Sequence, residues 1–492
     1  MKKIFKFSLL ALFIGFTSCE DATDIIQDSE LGEEVAYRTL GDLQTGLNGV
    51  YAAYTPDSGS NGTGDAILFN DLFTDNMKRG IASTGQGNEV YGFFMQPGSQ
   101  FPGTLWSNRY AVINFSNRLL RAYDRIVPGL EEDADIETAE RIKAQALTLR
   151  ALCHFDLLQY FTEDYQNTTS LAVPILDIVP QTNQVFPRNT AGEVFDFIIG
   201  DLEQASTLIG DFGDVDANVE HPFYVSQDVI NAIRARVALY QGDYTLAGNL
   251  ASALLADHAI ITNPTDYFNM FISDEPKSEQ IFTLARLQGD NGVVALYYAN
   301  QATIDGSPFF EMSNGLLNTF SNDDVRRQVL LETSSNYVGL DSPDNVLLIG
   351  KYRGSAADQT VNHIKLIRSS EMLFILAETQ ARAGSLTEAA NSIASLRGAR
   401  TGTTPALTYA TTGEALTDIL LERRKELAFE GHRYLDLKRL GVELGIGINR
   451  NPTDCGSFFA SCGLPSTDYR FTLPIPRVEI RANPTIEQNT GY

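Results

Sequence analysis

The segment ELAFEGHRYLDLKRLG, at residues 426–441, concentrates side chains that perform acid–base chemistry or bind metals. On a helix, His432 and Asp436 would lie one turn apart, as a base and its orienting carboxylate or as two ligands of one metal. Either role needs a nucleophile or a third ligand from elsewhere in the chain. The same segment carries an apolar stripe, so we favour a scaffold helix over an active site.

Two adjacent rows of apolar residues that recur every seven positions form this stripe: Leu420, Leu427 and Tyr434, and Leu421, Ala428 and Leu435. The charged residues fall mostly on the remaining face, where opposite charges three residues apart on a helix can pair. The expected pairs are Glu422 with Lys425, Glu430 with Arg433, and Arg433 with Asp436. We therefore predict one helical stretch over residues 413–441 that has no catalytic role.

Helical periodicity dominates the rest of the chain, with apolar residues three and four positions apart in four further stretches: 141–161, 194–209, 226–257 and 369–398. Two of the stretches share a pattern of small and turn-forming residues at equal offsets: Ala235, Gly242 and Ala247, and Ala377, Gly384 and Ala389. This pattern is similar to that of the tetratricopeptide repeat. We predict a mostly α fold of helix pairs with large, irregular, loop-rich insertions.

Motifs for other chemistry are weak or missing. The chain has no G-x-S-x-G elbow, no H-E-x-x-H and no P-loop. A glycosidase needs only two carboxylates, so a glycoside hydrolase is kept as the third interpretation. Asp214, Asp216 and Asn218 have the oxygen spacing of a calcium loop, but Val219 and Val225 replace its glycine and glutamate. A solvated acidic turn is favoured there over an irregular calcium site, and no metal or cofactor is predicted.

The first 18 residues have the layout of a signal peptide. Lys2, Lys3 and Lys6 precede an apolar run over 7–16, and small residues precede Cys19. A cysteine at this point is where bacterial lipoproteins are cleaved and acylated, so Cys19 is the predicted lipid anchor. An ordinary secreted protein is the alternative.

The remaining chain is strongly acidic. Without the three leader lysines it has 37 − 3 = 34 basic and 62 acidic residues, a net charge of 34 − 62 = −28. Such a surface repels phosphate backbones, which excludes nucleic acid as an expected partner. Cys455 and Cys462, with six residues between them, form either a disulfide or two thiols. Zinc would need further cysteines or histidines nearby.

Six segments, in this order, resemble the SusD/RagB family of surface nutrient-binding lipoproteins of Gram-negative bacteria: 104–120, 141–161, 186–205, 364–384, 422–441 and 471–492. The first is TLWSNRYAVINFSNRLL and the last is FTLPIPRVEIRANPTIEQNTGY. The resemblance implies about four tetratricopeptide-like helix pairs and no chemistry on the ligand. It also implies that the acids after Cys19 direct delivery to the cell surface.

The predicted organisation is a signal peptide over 1–18 and a single body over 19–492. Within the body we expect a tether, N-terminal helices with a binding loop, repeat helices, a loop-rich insertion, further repeat helices and a C-terminal irregular segment: 19–40, 41–140, 141–257, 258–365, 366–441 and 442–492, respectively.

Sugar binding requires aromatic faces with polar groups at their rim. The single tryptophan, Trp106, begins a helix motif, so packing is favoured over ligand stacking. In sugar-binding relatives, the excursion that corresponds to loop 73–103 supplies aromatic and polar groups. The candidates are therefore Asp75, Asn76, Arg79, Tyr91, Phe93 and Phe94, with a second cluster of Tyr297, Tyr298, Phe309 and Phe310 in the long insertion.

The resemblance implies an oligosaccharide-binding lipoprotein at the outer membrane, facing the cell exterior. Such a protein delivers its ligand to a SusC-like TonB-dependent transporter and acts as the transporter's lid. The alternative is the same architecture with a peptide or another nutrient as the ligand.

Overall fold

The computed structural model describes residues 33–56, 66–81, 83–181, 184–210, 222–287, 308–352, 361–455 and 461–492. Several predicted residues lie outside these ranges: Cys19, Asp214, Asp216, Asn218, Tyr297 and Tyr298. Within them, no helix is long and apolar enough to cross a membrane.

Helices dominate this part of the chain. They are α1 (Glu33–Ala36), α2 (Leu40–Ala53), α3 (Ala66–Leu72), α4 (Asn88–Tyr91), α5 (Gln100–Ile126), α6 (Asp133–Phe161), α7 (Ala191–Leu208), α8 (Gln227–Gln241), α9 (Tyr244–Asp257), α10 (Pro264–Ile272), α11 (Asn314–Leu317), α12 (Val325–Leu330), α13 (Ser369–Arg382), α14 (Leu386–Thr401), α15 (Thr412–Glu426), α16 (Arg433–Leu444) and α17 (Arg477–Ala482). The prediction of a mostly α fold is confirmed.

Six short strands form three antiparallel two-stranded sheets in the described ranges. The strands are β1 (Met77–Arg79), β2 (Gln280–Leu284), β3 (Phe310–Met312), β4 (Ile364–Arg368), β5 (Ile448–Asn449) and β6 (Gly463–Leu464). They pair as β1 with β3, β2 with β4, and β5 with β6. The first pair joins the predicted binding loop to the long insertion, because Arg79 lies opposite Phe310.

The two small-residue patterns both mark helix pairs. Gly242 ends α8, and Gly384 follows α13. Both glycines have the left-handed backbone conformation, with φ of 90° and 80°, which glycine adopts without steric cost. In each pair the second helix begins two residues later. The alanines at both patterns are fully buried, so small side chains lie where the paired helices pack.

The two pairs also pack on each other, although 142 residues separate their patterns. A Cβ at Gly248 in α9 would lie 2.7 Å from the hydroxyl of Thr379 in α13, so this glycine permits close approach of the two helices. Arg236 of α8 adds an ion pair to Glu371 of α13, at 2.6 Å. The two pairs therefore pack directly against each other, while Ala377 and Ala389 belong to a second apolar cluster beside the main core.

The prediction of one helical stretch over 413–441 is wrong. Helix α15 ends at Glu426 and α16 begins at Arg433. Between them Phe429 and Gly431 have φ of 66° and 84°, which lie outside the α-helical region. Most of the apolar stripe is buried, as its spacing predicts, but Leu421 on α15 is 43% exposed and Leu435 on α16 is partly exposed.

Two of the three predicted local charge pairs, Glu430 with Arg433 and Arg433 with Asp436, are also wrong. Glu430 pairs with Arg368 at 2.7 Å, Arg433 with Asp75 at 2.9 Å, and Asp436 with Arg423 at 2.9 Å. Each of these groups is at least nine-tenths buried. A buried charge needs a well-aligned partner, and here tertiary partners supply it.

Glu426 lies at the centre of this buried network. Its carboxylate accepts hydrogen bonds from Arg400 at 2.9 and 3.0 Å and from Arg368 at 3.2 Å, and it pairs with Arg326 at 3.4 Å. Burial opposes ionisation, but Arg400 and Arg368 hold the pKa of Glu426 well below its usual range.

Replacing Glu426 by glutamine should destabilise the protein by about 3 to 5 kcal/mol, because buried arginines lose their counter-charge. Thermal melting followed by circular dichroism measures this. The control is Glu443→Gln, which removes an exposed carboxylate paired with Arg382 at 2.8 Å. It should cost less than about 1 kcal/mol. Equal melting of the two variants would contradict the central role of Glu426.

Candidate ligand-binding site

The predicted binding loop encloses a groove of about 540 Å³. Its walls are residues 84–90, which include α4, and residues 98–101, where α5 begins. Glycine shapes the first wall: Gly87 has φ of 63°, and a Cβ there would lie 2.5 Å from the Leu72 side chain. We call this the loop groove. Its volume is in the range typical of small-ligand sites.

Polar groups face the loop groove. The side chains of Gln86, Asn88, Glu89 and Gln100 line it. The Oδ1 atom of Asn88 is buried and accepts no hydrogen bond from the described residues. Buried polar atoms are normally hydrogen-bonded, so this oxygen lacks the partner that such an atom usually has, and a ligand hydroxyl would supply it once the side chain turns into the loop groove.

Phe94 follows the first wall of the loop groove in the chain, is not one of the residues that line the groove, and is 49% exposed. Its backbone amide donates to the carbonyl of Glu89 at 3.1 Å. A Cβ at Gly92 would lie 2.1 Å from the Phe94 ring, so the glycine lets the ring fold back over the chain. The result is an aromatic face presented to solvent next to the polar lining.

Arg450 fixes the backbone of the loop through hydrogen bonds to its carbonyl groups. Its guanidinium donates to the carbonyls of Thr74 at 2.8 Å and Tyr91 at 2.6 Å. It also lies over the rings of Tyr91 and Phe93, at 3.8 and 4.3 Å from their centroids. Burial lowers the pKa of Arg450 to about 10, which leaves the side chain charged at neutral pH.

The C-terminal segment supports the same loop. Arg470 donates to the carbonyl of Phe93 at 3.0 Å, and Phe93 has φ of 60°, a strained value for a non-glycine residue. Cys455 and Cys462 are joined by a disulfide, with 5.7 Å between their Cα atoms. The exposed position of Phe94 is therefore fixed by residues remote in sequence.

Most of the predicted site residues are internal. Tyr91 is 1% exposed and donates its hydroxyl to the carbonyl of Asp454 at 2.6 Å. Phe93 and Phe310 are buried in the core. Asp75 is ion-paired with Arg433 at 2.9 Å. Burial tends to raise the pKa of its carboxyl group, but Arg424 and Arg433 outweigh burial and lower this pKa to about 2. These side chains shape the loop without presenting a surface to a ligand.

Two other predicted residues lie nearer the surface. Arg79 is partly exposed and bonds Ser83 at 3.1 Å. Phe309 is partly exposed, and its carbonyl accepts from Gly80 at 2.8 Å. The two predicted clusters, 230 residues apart, thus meet through β1 and β3.

His432 and Asp436 do not form the base and acid pair considered from the sequence. Both oxygens of Asp436 accept from Arg423 at 2.9 Å. His432 lines an internal cavity of about 60 Å³ beside Arg236 and Glu371. Burial lowers the pKa of His432 to about 4. Across the described residues, no group of three or more histidine, cysteine or acidic side chains is placed to hold a metal ion.

Two protein-family models match this chain, one over its N-terminal part and one over its C-terminal part. A family model described as "SusD family" matches residues 333–492, and one described as "Starch-binding associating with outer membrane" matches residues 24–238. The chain belongs to the SusD/RagB family. "SusD-like protein P2" of Formosa agariphila is 25% identical over 100% of both chains.

Solved SusD-like structures agree with this assignment. A SusD superfamily protein from Bacteroides thetaiotaomicron is 26% identical, with a TM-score of 0.75 over 92% of this chain and 99% of its own. A "Laminarin binding SusD-like protein" is 20% identical, with a TM-score of 0.70 over 93% of this chain and 100% of its own. The second likeness is one of fold.

Sequence reasoning missed the polar lining of the loop groove in this SusD/RagB chain. Gln86, Asn88 and Gln100 lie inside the predicted loop, and their amides were a usable signal. Arg450 and Arg470 had no local signal, because each acts on backbone carbonyls more than 350 residues away.

Asp71 links the loop to the turn between α15 and α16. Its carboxylate accepts from the Asn76 amide at 2.6 Å and from the backbone of Phe429. Burial raises the pKa of Asp71 to about 7. The folded protein therefore keeps a proton on Asp71 up to a higher pH than the unfolded chain does. The stability that this protonated carboxyl contributes is present at low pH and is lost as the pH rises toward 7.

Replacing Asp71 by asparagine should therefore stabilise the protein relative to wild type, increasingly so from about pH 5 to about pH 8. Melting temperatures measured across this range test the prediction. Asp344→Asn, at an exposed position, is the control and should show no such trend. A constant difference between wild type and Asp71→Asn would show that Asp71 does not titrate in this range.

Proposed function

We propose that this protein is a cell-surface lipoprotein that binds oligosaccharides in the loop groove. The observation that supports this most is an exposed aromatic ring, Phe94, whose backbone amide bonds the groove residue Glu89, together with a polar lining that includes the unpaired Asn88 oxygen. Pyranose rings offer apolar C–H faces for stacking and hydroxyls for hydrogen bonding. The family model's "starch-binding" description points to the same ligand class.

The lining also favours a ligand that is mostly uncharged. Glu89 is the one ionisable side chain among the lining residues. At the rim, the Arg477 guanidinium lies 2.7 Å from where a Cβ of Gly98 would be. One acid and one base do not select for a polyanion, whereas amides and backbone groups suit sugar hydroxyls.

The remaining parts of the proposal follow the family. We infer that Cys19 carries the lipid anchor at the outer membrane and that the protein passes its ligand to a SusC-like TonB-dependent transporter without chemical change. We also infer four tetratricopeptide-like units, supported by four contacting helix pairs: α6 with α7, α8 with α9, α13 with α14, and α15 with α16.

Phe94→Ala should weaken oligosaccharide binding by on the order of tenfold without lowering the melting temperature, because its ring is half exposed. Starch and laminarin oligosaccharides, titrated by calorimetry, form a suitable first panel. Phe115→Ala is a matched control. Phe115 is 45% exposed and lies about 22 Å along α5 from the groove residue Gln100, whereas Phe94 bonds the groove residue Glu89 through its amide.

Tyr91→Ala, unlike Phe94→Ala, should change the stability of the protein. It removes a buried ring and its hydrogen bond to Asp454, so it should lower the melting temperature. Unchanged ligand binding by Phe94→Ala, with a ligand that binds wild type, would place the binding site elsewhere.

The anchor is tested separately. Cys19→Ser should move the protein from the membrane fraction to the soluble fraction and abolish labelling by a radioactive fatty acid. Retention of the label in Cys19→Ser would contradict the assignment of this cysteine as the lipidation site.

A further inference from the structure

A second groove, of about 550 Å³, lies between α5, residues 174–181 and 184–186, and α17. Trp106 and Tyr110 line it from α5, Phe186 from the connecting chain, and Glu479 from α17. It shares no lining residue with the loop groove. We call it the Trp106 groove.

Glu479 is the unusual group in the Trp106 groove. Its partly buried carboxylate accepts a hydrogen bond from the Trp106 indole, and burial raises its pKa above the usual range. Among the described residues, no lysine or arginine forms an ion pair with it. Other buried glutamates differ, since Glu371 pairs with Arg236 at 2.6 Å and Glu378 with Arg439 at 2.5 Å.

An unpaired, partly desolvated carboxylate is costly, and a cation brought by a ligand would reduce that cost. Two aromatic rings adjoin this carboxylate. Trp106 and Tyr110 have centroids 5.0 Å apart, with an angle of 53° between their planes. Trp106 is 3% exposed, so the partly exposed Tyr110 ring is the one that contacts a bound ammonium group.

The rest of the groove suits hydroxyl groups. Gln181 and Gln184 are exposed on its other wall, and their amides can both donate and accept hydrogen bonds. An amino sugar presents hydroxyls on either side of its amine, which matches this arrangement. A lysine side chain surrounds its amine with methylenes, so the two exposed amides would bond only water and, for the Gln184 oxygen, the Gln181 backbone amide at 3.3 Å.

We propose that the Trp106 groove is a second binding site, for an oligosaccharide that carries a free, protonated amino group. The ammonium pairs with Glu479 beside Trp106 and Tyr110, and the ring hydroxyls bond to Gln181 and Gln184. The volume of the groove is within the range of small-ligand sites. This site is separate from the loop groove and does not depend on ligand binding there.

The chain carries its own reporter for this groove, because Trp106 is the sole tryptophan of the sequence. Full-length protein titrated with a glucosamine trimer should show a saturable change in tryptophan emission. The N-acetylglucosamine trimer has similar rings without the charge and should bind on the order of tenfold more weakly. Equal affinity for the two trimers would overturn the proposal without any variant being needed.

Glu479→Gln removes the charge but keeps an acceptor for the Trp106 indole, so it should lose on the order of tenfold in affinity for the glucosamine trimer. Glu487→Gln, at an exposed position nearby in the chain, should bind as wild type does. Phe94→Ala should also bind normally, which separates this test from that of the loop groove.

Three further outcomes would overturn the proposal. The first is unchanged affinity of a folded Glu479→Gln variant. The second is trilysine binding as tightly as the glucosamine trimer, which would make the groove a site for peptide amines. The third is no binding of the glucosamine trimer either by fluorescence or by calorimetry.

Discussion

The carboxylate of Glu426 is the interaction on which the rest of the structure depends. Arg400 reaches it from the end of α14, Arg368 from the end of β4 and Arg326 from α12. Arg400 and Arg368 also bind Glu279, beside β2. Because every member of this network is buried, each requires the others, and the loop-rich insertion is thereby fixed to the repeat helices.

The same constraint extends to the loop groove. Helix α15 carries Arg424, whose guanidinium binds the Asn76 oxygen at 2.8 Å, and α16 begins with Arg433, which binds Asp75. Arg450 then holds the carbonyls that follow α3 and α4. A rigid base of this kind suits binding, since an ordered loop loses little conformational entropy when a ligand binds. The loop that resembles a flexible excursion in sequence is tied to the core at several points.

Much of the fold was predictable because it rests on local patterns. Alanine and glycine at equal offsets located two helix pairs, and apolar periodicity located the longer helices. The turn over residues 427–432 was missed, because a left-handed Phe429 inside an apolar stripe leaves no mark on the periodicity. The partners of Glu426 were missed because they lie 26 and 58 residues away and no spacing rule connects them.

The candidate site likewise combines features that the local sequence predicts with features that long-range packing decides. The resemblance to sugar-binding relatives suggested the loop, and the structure then separated its aromatic residues into buried and exposed ones. Tyr91 and Phe93 are buried because Arg450, from another part of the chain, lies over both rings, whereas Phe94 is left outside. Since such long-range packing decides exposure, residue type alone predicted the region of the site and not its members.

A crystal structure of the protein with an oligosaccharide bound tests the central claim most directly. The account predicts a sugar ring against Phe94 and a hydroxyl donating to the Oδ1 atom of Asn88, with the carbonyls around Arg450 unmoved. An oligosaccharide bound only elsewhere, with the loop groove empty and Phe94 free of contact, would contradict it.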